Sequence, residues 1–484
     1  MITFISSILL LVLGFLFYGR FVEKRLFQAD PNRVTPAISH RDGVDFQPLK
    51  PWRIFIIQFL NIAGLGPIFG AILGAAYGPM AYLWIVVGCI FMGAVHDYFA
   101  GMLSMRSSGR GTPSIIGMYL GKRVKVLMRI FIAVMLIGIG CSFVTGPADL
   151  LNNMAPVSKL FWVIVIFAYY VLATLVPIDK IIGRIYPWLG AVLLFMAVAV
   201  GLALIFKGFN GSIHLTELTP ATMRNFHANP EKHILFPMLF IVISCGAISG
   251  FHSTQSPIMA RCLPNEKYGR TIFYGSMICE GIVASIWATA AMAYTGGPEG
   301  LNAAAAAGST PAILVNAICN DWLGKVGAVI ALLGVIACPI TSGDTAFRSL
   351  RLIIADALHY SQKPIMNRIY VALPIFIVAV LVCTFDFSTI WNYVGISNQV
   401  LASIMLWTIT RYLYKHGKNP LFTAIPATFL TYVCVCYFMV APHKAGGLSL
   451  GLTAGHIVAA AVTVAIIILF SLGNKKLTRR WTKA

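Results

Sequence analysis

The chain has 484 residues, 58% of them hydrophobic and only 11% charged, whereas soluble domains carry about 25% charged residues. That balance excludes a water-soluble enzyme, a disordered chain, a collagen-like rod and a secreted disulfide scaffold. The net charge of +20 invites a nucleic-acid reading, but Lys and Arg gather in loops between apolar runs, as membrane topology signals do, so no nucleic-acid partner is expected.

Thirteen apolar segments predict an all-α polytopic membrane protein: 2–19, 53–77, 81–104, 127–146, 160–177, 186–206, 234–260, 270–294, 313–343, 367–384, 389–411, 420–440 and 453–472. The first lacks the positive start and the small-residue cleavage site of a signal peptide. Arg20, Lys24 and Arg25 follow it directly, which predicts an outside amino terminus in a bacterial inner membrane. With that orientation, thirty of the 36 Lys and Arg fall on the cytoplasmic side. The other six are Lys159, Lys207, Arg224, Lys232, Lys325 and Lys444. The basic tail from Lys475 to Lys483 is then a cytoplasmic anchor.

The second segment is interrupted at mid-depth by Asn61-Ile-Ala-Gly-Leu-Gly-Pro67. Gly64, Gly66 and Pro67 weaken or remove backbone hydrogen bonds that lipid cannot replace, so protein or a wet cavity must satisfy the freed groups. Gly66, Gly70, Gly74 and Gly78 also form a small-residue ladder suited to close packing. The seventh segment carries Ser244-Cys-Gly-Ala-Ile-Ser-Gly-Phe-His-Ser-Thr-Gln-Ser-Pro257. Its Ser249, His252, Ser253 and Ser256 share one face at i, i+3, i+4 and i+7.

These interruptions open two blocks of five segments, and an odd count turns the second block over in the membrane. Inverted repeats with paired broken helices are the architecture of secondary transporters. The expected division is 1–50 (extra helix and loop), 51–206 and 207–412 (the two repeats), and 413–484 (two further helices and the tail).

Several stretches resemble the carbon starvation protein A family of membrane transporters. They are Asp42-Gly-Val-Asp-Phe-Gln-Pro48, Ile62-Ala-Gly-Leu-Gly-Pro67, Gly93-Ala-Val-His-Asp-Tyr98, Cys245-Gly-Ala-Ile-Ser-Gly-Phe-His252, Tyr274-Gly-Ser-Met-Ile-Cys-Glu280 and Thr341-Ser-Gly-Asp-Thr345. The resemblance implies a LeuT-like core and uptake of short peptides or of pyruvate, a 2-oxo acid, with protons. It also implies that this is a short member, so features of added segments in larger relatives do not carry over.

Ionisable groups at membrane depth each ask for a reason. Glu280, about 15 Å into the eighth segment at 1.5 Å per residue, is a candidate for proton coupling or gating. Asp97 and His96 in the third segment are further candidates, although Asp97 can equally neutralise a cytoplasmic arginine such as Arg106. In the ninth segment Thr341, Ser342 and Asp344 are a possible cation site, since hard cations prefer oxygen ligands. The family resemblance supports that site by analogy with LeuT-like sodium transporters. The bland alternative is an Asp344–Arg348 ion pair at the membrane edge.

A carboxylate-bearing solute is expected at the breaks, where half-helix ends expose amides and carbonyls. Asn61, Gly64, Gly66, Gly246, Ser249, Gly250, His252, Ser253 and Gln255 are the candidate binding residues. Coupling is expected to H+, with Na+-coupled amino-acid uptake as the alternative, and no other cofactor. A passive channel and a non-transporting nutrient sensor are the competing classes. No HExxH, GxSxG or GxxxxGK[ST] motif supports catalysis or ATP-driven pumping, so no enzyme is expected. The ten cysteines form no CxxC pair, and His40, Asp42 and Asp45 read as turn-forming and solvated, so no metal is expected.

Overall fold

The computed structural model describes residues 1–154, 157–175, 182–385 and 387–481. The end of the predicted 160–177 segment, Lys180, Lys483 and the tail side chains from Lys475 to Arg480 lie outside the described residues.

The described residues are overwhelmingly helical and contain no strand. In chain order the main helices are α1 (Ile2–Phe27), α2 (Pro51–Ala63), α3 (Gly66–Ala75), α4 (Met80–Arg106), α5 (Lys122–Met154), α6 (Lys159–Leu175), α7 (Tyr186–Phe209), α8 (Leu235–Val242), α9 (Gly250–Ala260), α10 (Glu266–Tyr294), α11 (Pro311–Leu358), α12 (Ile365–Val382), α13 (Phe387–Lys415), α14 (Leu421–Val440) and α15 (Leu452–Trp481). Nine of them are long and apolar enough to cross a bilayer, and α2 with α3 makes a tenth span bent by 54°. The protein is thus a multi-pass membrane protein. The three remaining predicted segments are α6, which is apolar but short, the broken α8–α9 pair, and the more polar α13.

Burial separates the centre from the rim. The apolar windows of α4 and α10 are 83% and 89% buried, against 17% for α15. Outer helices turn large apolar residues outward, for instance Val198, Leu202 and Phe206 on α7 and Leu373, Ile377 and Leu381 on α12, as lipid contact demands. The two central helices are those that carry Asp97 and Glu280.

Helix α11 departs from its predicted boundaries. Its 48 residues would extend about 72 Å as one rod, more than twice the hydrocarbon thickness. Gly324, at φ 66°, breaks it, and the helix then continues to Leu358. Thr341 to Arg348 therefore lie inside a helix that runs on past them, and are buried among other helices.

Candidate functional site

The first interruption follows Ala63. Gly64 adopts φ 47° and ψ −142°, a left-handed conformation that a side chain disfavours. A Cβ there would sit 2.7 Å from the Phe143 ring. Pro67 lies in the first turn of α3, where an amide donor is not needed. The second interruption runs from Ile243 to Ser249 between α8 and α9, with Gly246 at φ 91° against Ala284.

The two interruptions touch. Cys245 occupies the space where Gly66 would carry a side chain, and the next rungs of the ladder, Gly70 and Gly74, face Val242 and Ile243. Below the breaks, Gln58 Nε2 donates to Ser256 Oγ at 3.3 Å. From Gln58 through Gly66 to Gly70 the partners run back from Ser256 through Cys245 to Val242, so the spans are antiparallel. The ladder thus packs and the breaks meet; the two readings of those glycines hold together.

A fully buried polar chain crosses this junction. Asp97 Oδ1 lies 2.8 Å from His96 Nδ1, and its Oδ2 lies 2.8 Å from His252 Nδ1. His252 Nε2 faces Glu280 Oε2 at 3.5 Å, and Glu280 Oε1 accepts the Gly246 amide at 3.1 Å. The three candidate coupling residues therefore join His252 in one line that ends on the backbone of the second break. Arg106 is paired instead with Glu266, through Nε at 3.0 Å and Nη2 at 2.8 Å, so Asp97 does not serve to neutralise it.

The other predicted binding residues divide. Both amide atoms of Asn61 and the Ser249 hydroxyl are buried without a partner in the protein, as is Gln255 Oε1. Such groups are costly to leave unpaired, which marks them as available to a guest. Ser253 Oγ instead donates to the Gly250 carbonyl. Gly250 is pressed against Asn398, Leu401 and Ala402 of α13, so its missing side chain serves packing in this conformation.

Two contributors escaped the sequence reading. Asn398 Oδ1 accepts the Phe251 amide at 3.0 Å, capping the first turn of α9. Phe143 bridges the breaks, touching Gly64 and setting its ring 5.9 Å from that of Phe251. An isolated Asn and Phe within apolar helices carry no motif.

Among the candidate cation residues, Ser342 Oγ donates to Cys338 C=O at 2.9 Å on its own helix and lies 3.2 Å from Leu60 C=O, just before the first break. Thr341 Oγ1 donates to Cys338 C=O, and Asp344 Oδ2 accepts from Tyr186 at 2.5 Å. Ser342 thus reaches the first break, while Asp344 is held by α7.

A cavity of about 210 Å³ opens from the junction. Gly66, Cys245, Phe251 and Asn398 line its inner part, and His227 and His233 of the 210–234 loop line its mouth. On the opposite side Arg351 Nη2 lies 3.6 Å from Asp45 Oδ1, and Thr112 donates to the Ser253 carbonyl beside a small pocket that Thr254 and Arg261 also line. Asp45 is only 3% exposed, which corrects its expected solvation; Asp42 does form the turn, accepting the amides of Val44, Asp45 and Phe46.

The family model of carbon starvation protein CstA matches residues 1–146, 140–326 and 288–436. The chain belongs to the CstA family. It is 43% identical over 354 residues to an uncharacterized membrane protein of Haemophilus influenzae, covering 64% of this chain and 95% of that one. It is 24% identical over 553 residues to the peptide transporter CstA of Campylobacter jejuni, covering 88% of this chain and 78% of that protein. The pyruvate/proton symporter BtsT of Escherichia coli is 26% identical over 344 residues, which cover 58% of this chain but 47% of the symporter.

Proposed function

We propose that this CstA-family protein is a secondary active transporter that imports short peptides or pyruvate by alternating access, driven by protons. In this reading thirteen spans cross a bacterial inner membrane with the amino terminus outside. Residues 51–206 and 207–412 are the inverted repeats of a LeuT-like core, flanked by 1–50 and 413–484. The protein is a carrier and performs no catalysis.

The observation that carries the reading is the contact of two antiparallel broken spans beside a cavity and a buried acid chain. Asn61, Ser249 and the glycine-bounded backbone at Gly64, Gly66 and Gly246 would hold the solute carboxylate. Glu280, linked through His252 to Asp97 and His96, would carry the proton. The relatives named for peptide transport and for pyruvate/proton symport support both solute classes.

One observation favours Na+ as the alternative coupling ion. Ser342 lies at a carbonyl that precedes the first break, an oxygen pair that suits Na+ once the hydroxyl turns away. Uptake of labelled pyruvate and of a labelled dipeptide into proteoliposomes, with proton and sodium gradients imposed separately, tests the reading. Proton-driven accumulation with counterflow is expected; flux without saturation or counterflow would leave a channel in its place.

A further inference from the structure

We infer that Cys245, His252 and Glu280 form a binding site for one first-row transition-metal ion, with Zn2+ the ion their chemistry fits. One ligand atom from each of the three residues lies within 4.8 Å of the other two. His252 Nε2 and Glu280 Oε2 are 3.5 Å apart. Ligands about 2.0–2.2 Å from a tetrahedral zinc stand roughly 3.3 Å from one another, so this pair is nearly at its working distance. Both atoms are buried and have no hydrogen-bond partner in the protein.

The surrounding bonds are those a metal site needs. His252 turns Nδ1 toward Asp97 Oδ2 at 2.8 Å, which leaves Nε2 as the free ligand atom and makes a carboxylate–histidine pair behind it. Glu280 is oriented through its other oxygen by the Gly246 amide at 3.1 Å. The Cys245 thiol is unpaired with any other cysteine, and its residue lines the cavity. The cavity reaches the site at Cys245, so an ion would enter from the thiol side, and three protein ligands leave a fourth tetrahedral position for water. A thiolate among the ligands selects Zn2+ or Co2+ over Na+, Mg2+ and Ca2+. Because Cys245 packs against Gly66, a bound ion fastens the second break and α10 at the point where the first break rests. On the carrier reading above, such an ion blocks transport.

Purified full-length protein titrated with Co2+ tests the site directly, without any transport assay. One ion per chain is expected, with a thiolate-to-cobalt charge-transfer band that Zn2+ displaces. Cys245→Ser and Cys245→Ala should both lose the band. Cys436→Ala should keep it, although Cys436 Sγ lies 3.9 Å from His456 Nδ1 and is the other thiol beside a histidine. Asp97→Asn should keep the band while weakening affinity about 10- to 100-fold, as loss of an outer partner does. No band in folded wild-type protein at saturating Co2+, or an unchanged band in both Cys245 variants, overturns the assignment. Zn2+ slowing uptake in the wild type but not in Cys245→Ser supports the block. Binding without an effect on uptake removes the block and leaves the site standing.

Discussion

His252 Nδ1 lies 2.8 Å from Asp97 Oδ2 across 155 residues of sequence, and both side chains are fully buried. This bond joins the helix after the second break to the most central pair of helices. An ionised carboxylate is acceptor-only, so both rings that face Asp97 must offer it an N–H. Asp97→Asn replaces one acceptor with an amide donor and breaks one of the two bonds. A hydrogen bond to a charged group contributes about 1.5–3 kcal/mol, so a stability loss of about 2 kcal/mol is expected in denaturant unfolding. Unfolding at the wild-type midpoint would show that the bond adds nothing.

Glu280→Gln separates proton carriage from architecture. The amide oxygen still accepts the Gly246 N–H, but the side chain no longer takes up or releases a proton. Accumulation driven by a pH gradient should vanish, while counterflow of preloaded substrate is partly kept. Equal loss of both would assign Glu280 to folding or to substrate contact.

Asn398→Ala removes the acceptor that caps α9 at Phe251. Loss of such a cap costs about 1 kcal/mol. Hydrogen exchange should accelerate over the first turn of α9 and leave the far end of α13 unchanged. Equal acceleration along α13 would point to a general packing defect instead.

Asp45→Ala removes the carboxylate that faces Arg351, whose fully buried side chain is then left with the Gln362 amide oxygen as its partner. Removing one member of a buried pair costs about 3–5 kcal/mol, an upper bound here because the separation is 3.6 Å. That side should open more readily, so thiol reagents reaching it should label Cys262, whose carbonyl accepts the Leu49 amide beside this loop, faster than in the wild type. Unchanged labelling would detach the pair from closure.

The mouth of the cavity should respond to acid. His227 and His233 stack with ring centres 4.0 Å apart, and the Tyr77 ring lies 5.0 Å from His227. Burial, followed by the charge of His233, holds His227 down to about 4 from an ordinary 6.5; burial and Lys232 lower His233 as well. Between those limits the unfolded loop binds more protons than the folded one, so loop stability is full above pH about 6.5 and falls toward pH 4. Protection factors for residues 225–233 should drop over that window, and His227→Phe should flatten the response. A pH-independent wild-type loop would refute it.

Glycine and proline inside apolar runs, and a polar stripe at helical spacing, made both interruptions readable before any fold was known. Their meeting was readable only in outline, because the Gly66–Cys245 contact joins distant parts of the chain. Cys245 looks like any small buried hydrophobe until His252 and Glu280 are placed beside it. The helix of the ninth segment runs on past the apolar stretch for a related reason. Asp344 and Arg348 lower the local hydropathy, yet other helices rather than lipid surround them, through Tyr186 and the Ala173 carbonyl. Gly250 shows the converse: a residue singled out for exposure to a guest is held by α13.

The junction of Gly66 with Cys245 has a mechanical consequence. Because α3 meets α8 at Gly70–Val242 and Gly74–Ile243 on one side of it, and α2 meets α9 at Gln58–Ser256 on the other, a small rigid tilt about it would spread one pair of half-helices as it pinches the other. On the proposed carrier reading, such a tilt would exchange which face is open without a new bend in either span.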